Sequence, residues 1–261
     1  MFLYLLNKIK WYAIIIVIIS ISLGFLYLRY TPKTYETGAL IQVAVKEQPY
    51  GFSDLYSYNI NTNLNAEIAL MKSQKAIDRV IEDLDLKAFY YFEGEILTRF
   101  LYNQSIFRLN NYSIKDQSII SKPIYLLFDG RYFSLTDEEE EVVYAKYILP
   151  NKFFSSKYLS GTLKFSSNNW EENINSMSSN ERLFFRIPHK KEIKNSIING
   201  LTININDQSA NSIKISHQHT NSNFSKDICN SIVKIYMNYA INKKQKSTDK
   251  IVSFIALQKD S

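Results

Sequence analysis

Apolar positions recur along the chain in three rhythms, and each predicts a different kind of element. From Trp11 to Leu28 the run "WYAIIIVIISISLGFLYL" carries no charge. At ~1.5 Å per residue it extends roughly 27 Å as a helix, close to the ~30 Å hydrocarbon thickness of a bilayer. Lys8 and Lys10 precede it, Arg29 and Lys33 follow, and Trp11, Tyr12, Tyr27 and Tyr30 put aromatic rings at its ends, as interfacial anchors do. The run therefore predicts a transmembrane helix over residues 11–28, behind a short cytoplasmic tail, residues 1–10. A cleaved leader fits less well, because its apolar core is normally ~7–15 residues long and no small-x-small site follows here. Ten residues on one side are too few for a folded output domain, so residues 29–261 are expected to sit together on the other.

A helical rhythm follows in "NAEIALMKSQKAIDRVIEDLDL", Asn65 to Leu86. At ~100° per residue Ala66, Leu70, Ser73, Ile77, Val80, Ile81 and Leu84 share one stripe, with Lys72, Lys75, Arg79 and Asp83 opposite. Ser73 falls inside the apolar stripe, where its hydroxyl needs a partner, most simply a carbonyl one turn back. The third rhythm is alternation. In "GALIQVAV" Ala39, Ile41, Val43 and Val45 share a strand face. In "LTININ" Leu201, Ile203 and Ile205 do the same, and after the turn-prone "DQSAN" so do Ile213 and Ile215, which predicts a hairpin. Residues 122–128, 131–135, 142–149, 162–165 and 183–187 predict further short strands between Gly, Asn and Ser clusters.

The last part, residues 223–261, is helical again and carries two apolar stripes. Phe224, Ile228, Ile232, Ile235, Tyr236 and Tyr239 form one; Cys229, Val233, Met237, Ala240 and Ile241 form the other. A helix wet on one side needs a single stripe, so two predict burial on two sides, either in a thick core or between a core and another subunit. After "KKQK" the spacing restarts at Ile251, Phe254, Ile255 and Gln258.

Composition changes this picture little. The chain of 261 residues is 46% hydrophobic and 14% aromatic, enough to bury a core and to exclude disorder. Its 31 Lys and Arg against 25 Asp and Glu give a net charge of +6, compatible with nucleic acid, an anionic membrane surface or acidic polymers, none singled out by charge alone. Cys229 is the single cysteine, so no disulfide forms within the chain, and a buried thiol is the simplest role for it. His217 and His219 would share a strand face as a metal pair, but no third ligand is placed by sequence. The acids Asp137 to Glu141 could hold a hard cation, although a solvated turn between strands suffices. The basic groups His189 to Lys191 and Lys243 to Lys246 could touch an acidic glycan or phospholipid head groups, and solvated faces again suffice. None of the seven glycines opens a G-x-x-x-x-G-K-[ST] loop, which excludes that phosphate cradle. The expectation is no catalytic, cofactor-binding or metal-binding residue and no cofactor.

In order, a membrane helix, "TPKTYETGALIQV" (Thr31 to Val43), "EIALMKS" with "VIEDLDL" (Glu67 to Ser73, Val80 to Leu86), "NSIVKIYMNYA" (Asn230 to Ala240) and "FIALQ" (Phe254 to Gln258) resemble the chain length determinant proteins, the polysaccharide co-polymerases. Within them the chain looks most like the periplasmic N-terminal half of a bacterial exopolysaccharide tyrosine kinase, and "FYYFEGEILTRFLY" (Phe89 to Tyr102) is similar to the strand and turn of that branch. The resemblance implies an α+β fold: an N-terminal transmembrane helix, a small mixed sheet packed by amphipathic helices, a β-rich insertion at about residues 103–190 and a long C-terminal helix. In it the helix of Asn65 to Leu86 packs on the sheet, with Ser73 at the closest approach. It also implies a single-pass protein of the bacterial inner membrane with residues 29–261 periplasmic. Its role would be a scaffold or regulator of exopolysaccharide or capsule polymerisation and export, truncated before the kinase. The expected partners are further copies of the chain as a homo-oligomer, the membrane, polysaccharide polymerase and export proteins, and the growing glycan, with no nucleic acid. The competing readings are a kinase or glycan-processing enzyme, disfavoured by the missing phosphate loop, and an anchored ligand-binding or sensor module acting through a partner.

Overall fold

The computed structural model describes residues 2–43, 57–166, 169–178 and 180–259. The chain opens with α1 (Phe2–Tyr30), β1 (Tyr35–Gln42), α2 (Ser57–Met71) and α3 (Gln74–Asp83). It continues through β2 (Phe89–Glu93), β3 (Thr98–Phe100), β4 (Phe107–Ile114), β5 (Pro123–Phe128), β6 (Phe133–Thr136), β7 (Val143–Ile148), β8 (Phe153–Ser155) and β9 (Leu159–Phe165). Last come α4 (Trp170–Asn175), β10 (Arg182–Arg186), α5 (Lys190–Gly200), β11 (Leu201–Asp207), β12 (Ser212–His219) and α6 (Ser222–Lys259).

The fold is α+β, with two corrections to the expected architecture. The first concerns α1. Among the described residues no helix is long and apolar enough to cross a membrane. This overturns the transmembrane helix expected over residues 11–28 and, with it, the single-pass inner-membrane location. The apolar side chains from Ile14 to Leu28 stand exposed and join neither core. The second correction concerns the small sheet, which is wholly antiparallel in the order β1-β12-β11. A mixed sheet would need a parallel neighbour and a crossover connection; β11 and β12 are instead a hairpin, and β1 runs against β12.

That hairpin turns where the sequence predicts. Asp207 Oδ1 accepts from the amides of Ser209 (2.8 Å) and Ala210 (3.2 Å), the local side-chain closure that favours Asp in turns. Ile203, Ile213 and Ile215 are buried on the inner face, Ala39 and Ile41 are half-buried beside them, and Val43 closes the row. Val45 lies outside the described residues. α6 lies across β1 and β12, α2 touches β11 of the sheet as expected, and α3 packs on α5 and α6. This three-layer arrangement has one apolar core that also takes in Leu64, Met71, Ile77, Val80, Phe224, Ile228 and Ile232.

A second core belongs to the β-rich part. Strands β3-β2-β10-β5-β6-β7 form a six-stranded sheet and β4-β9-β8 a three-stranded one, each antiparallel throughout. Phe107, Leu159 and Leu163 of the smaller sheet meet Ile124, Phe133, Leu135 and Phe185 of the larger in one cluster, so the two sheets close on each other. The expected strands at 122–128, 131–135, 142–149, 162–165 and 183–187 correspond to β5, β6, β7, β9 and β10.

Candidate functional site

Residues 65–86 do not form one helix. Ser73 is the N-cap of α3, with φ −63° and ψ 149°, and its Oγ accepts from the Ala76 amide at 3.2 Å. The reason is a phase conflict. Leu64, Ile68 and Met71 face the core from α2, and Ile77, Val80 and Ile81 from α3. Six residues separate Met71 from Ile77, about 240° around a continuous helix at ~100° per residue. An unbroken helix would turn one set to solvent, so the chain breaks at Lys72 and restarts from a serine suited to capping. Ser73 is thus a cap, not a point of close approach to the sheet, and Ala66, expected on the apolar stripe, is exposed.

Charged residues read as a solvated face instead join helices. Asp83 accepts from Ser231 Oγ at 2.8 Å and from Lys234 Nζ, both on α6; these bonds hold its carboxyl below the usual carboxylate value. Asp78 pairs with Lys190 (2.9 Å) and Lys194 (3.0 Å) of α5 and is likewise lowered by them. Lys190 of the basic group at 189–191 is therefore committed inside the fold. Lys243 of the second basic group reaches Glu67 at 3.3 Å. The helix α5 itself has no counterpart in the sequence reading.

His217 and His219 do share a face of β12, with ring centroids 6.2 Å apart, but they serve the core. His217 is fully buried with Nδ1 3.1 Å from Ser225 Oγ, and the Asn221 amide donates to His219 Nδ1 at 3.1 Å. Burial pushes His217 down to about 4 and lowers His219 as well. The Cys229 thiol donates to the Thr37 carbonyl at 3.3 Å, and burial pushes it up to about 11, the state of an unreactive structural thiol. Among the described residues no group of three His, Cys, Asp or Glu could hold a metal ion. Residues 137–141 form the turn between β6 and β7, closed by Asp137 Oδ1 accepting from the Val142 amide at 3.0 Å.

The two stripes of α6 have different fates. Phe224, Ile228, Ile232 and Tyr236 are buried. On the other stripe Cys229 is buried and Val233 half-buried, but Met237 is 54% and Ile241 52% exposed. The positions from Ile251 to Gln258 lie beyond the described side chains, although α6 continues unbroken through them. Beside the buried stripe a groove of about 220 Å³ runs between the α2–α3 break and α6, floored by Met71, Ile232 and Tyr236, with Lys75 and Arg79 on its wall.

These residues hold the fold together, and the comparison with known families adds what the chain is similar to. Residues 3–84 match the Wzz family, chain length determinant protein. The resemblance read from the sequence holds there. The matched stretch supplies α1, β1, α2 and α3, so the family pattern covers one half of the base while α5, β11, β12 and α6 complete its core from the far end of the chain. No curated protein matches the chain.

Proposed function

We propose that this chain acts in determining the length of polysaccharide chains, as a self-associating scaffold or regulator that performs no catalysis itself. The observation that carries the reading is the chain length determinant match over residues 3–84, because those residues form the half of the base on which α6 packs. The exposed half of the second α6 stripe supports self-association. Two large apolar side chains one turn apart, Met237 and Ile241, continue a row whose base is buried, and such rows on stable helices mark contact surfaces. The scaffold would act with polysaccharide polymerase and export proteins on an exopolysaccharide or capsule.

The test is deletion of the gene in its own host, followed by gel separation of the surface polysaccharide. The expected result is a changed length distribution, restored by supplying the gene again. An unchanged distribution would overturn the reading.

A further inference from the structure

We propose that the polar cleft between the α3–β2 connection and strand β4 is a binding site for an acidic saccharide, with Arg108 taking the sugar carboxylate. The choice of a saccharide rests on the chain-length reading; the existence of the site rests on geometry. The cleft has a volume of about 540 Å³, within the ~300–1,000 Å³ of ordinary ligand pockets. It lies where the two cores meet, since Leu84 and Leu86 belong to the first and Tyr90 and Leu109 to the second. Clefts between packed units are preferred places for ligands.

Its wall is built in an unusual way. In β4, Asn110 pairs with Thr162 and Ser113 with Ser160, which leaves Asn111 and Tyr112 opposite Gly161 alone. This is a β-bulge, two residues against one, and such bulges re-aim side chains beside functional sites. Gly161 is required there, because a Cβ on it would lie 2.9 Å from the Tyr112 Cβ and 3.1 Å from Leu109 Cδ1. Asn111 takes φ +48°, and two further residues of the lining, Asp85 (φ +48°) and Tyr102 (φ +46°), are also left-handed without being glycine. Asp85 has a local cause as the residue after the α3 C-cap. Tyr102 has none of that kind, and a bulky residue held there is a true outlier of the sort found at ligand clamps.

The chemistry on offer suits a polyhydroxylated anion. Tyr112 donates its hydroxyl to the Lys87 carbonyl at 3.0 Å and so fixes that wall. Lys87 is paired with Asp85 at 2.6 Å, whereas Arg108 is exposed and makes no ion pair among the described residues. The planar guanidinium matches a carboxylate with two parallel hydrogen bonds. The Asn111 amide offers both donor and acceptor to hydroxyls, and the half-buried Tyr102 ring gives an apolar surface. A neutral glycan would leave the Arg108 guanidinium unused.

The experiment is isothermal titration of the full chain with oligosaccharides released by mild acid from the host's own surface polysaccharide, and with the same oligosaccharides after their carboxyl groups are reduced to alcohols. The native oligosaccharides should bind saturably, and carboxyl reduction should weaken binding about tenfold or more. Arg108→Gln should impose a similar loss on the native ligand with unchanged thermal unfolding, since Arg108 is exposed. Asn111→Gly should keep the bulge and still weaken binding. Absence of saturable binding would overturn the proposal, as would equal affinity of the reduced ligand or of Arg108→Gln. The two readings fail separately: if gene deletion leaves polysaccharide length unchanged while this binding stands, the chain-length reading falls and the cleft remains.

Discussion

Ser73, His217 and Gly200 show how far single residues set this fold. Ser73 satisfies one of the first free amides of α3, and removing such a cap typically costs ~1 kcal/mol. Ser73→Ala should therefore lower the unfolding free energy in urea by about that amount, and Ser73→Asp should lower it by no more than a few tenths. Equal stability of the alanine variant and wild type would mean the cap does not hold α3. Gly200 ends α5 directly against β12, where a Cβ would meet the Gln218 carbonyl oxygen at 2.4 Å and His217 Nε2 at 2.8 Å. The imidazole packed there is held neutral. His217 takes up a proton near 6.5 when unfolded and near 4 when folded, so its contribution to stability is present above pH 6.5 and is lost as pH falls from 6.5 toward 4. Asp78 and Asp83, both lowered from 3.8 in the fold, extend the loss to lower pH by the same sign. Thermal melts should show the midpoint falling across pH 6.5 to 4, with His217→Gln flattening that slope. A midpoint independent of pH in this window would contradict the buried neutral imidazole.

At the scale of elements, periodicity was readable where one face of one element is buried. The hairpin β11–β12, the inward row Ala39, Ile41 and Val43 of β1, and the buried stripe of α6 all follow it. It failed at interruptions. The stripe of Ala66, Leu70 and Ser73 carries the phase of Ile77, Val80 and Ile81 back along a supposedly unbroken helix, whereas α2 buries Leu64, Ile68 and Met71 about 240° away. In β4 the apolar side chains turned inward are 107 and 109, then 112 and 114; that phase jump is the bulge, and "FRLNNYSI" carries it openly in two consecutive asparagines. α5 contributes only Ile193 and Ile197 to the core, too few for a period to stand out, although its lysines hold Asp78. The run at 11–28 shows the opposite failure: composition alone suggested a span that the described helix does not supply. Ile81, on the buried face of α3, gives the sharpest elementary test. Ile81→Asp places an unpaired charge in the core and should cost several kcal/mol, a large share of a ~5–15 kcal/mol total. Circular dichroism during urea unfolding should show a much lower midpoint, and an unchanged one would mean the wrong face of α3 has been placed inward.

The whole molecule is built on two apolar cores. The base is assembled from both ends of the chain, with residues 3–84 matching the chain length determinant family and α6 laid across them. The β-rich part rises from it on β2 and β10, and the cleft sits at the junction. The sequence could show the base through the order of its parts, but not the cleft, which exists only once β4 is folded against the residues after α3. In the proposed scaffold, self-association would run through the exposed α6 row, where Met237 and Ile241 stand out beside a buried stripe. Met237→Lys is the direct probe, because a charge on an exposed position leaves the fold intact and desolvation at a contact would oppose it. The decisive measurement replaces the host gene with the Met237→Lys form, determines the protein's oligomeric size by sedimentation, and compares the gel profile of surface polysaccharide with wild type. The account predicts a smaller assembly together with a shifted length distribution; a wild-type length distribution from a protein that no longer associates would contradict it.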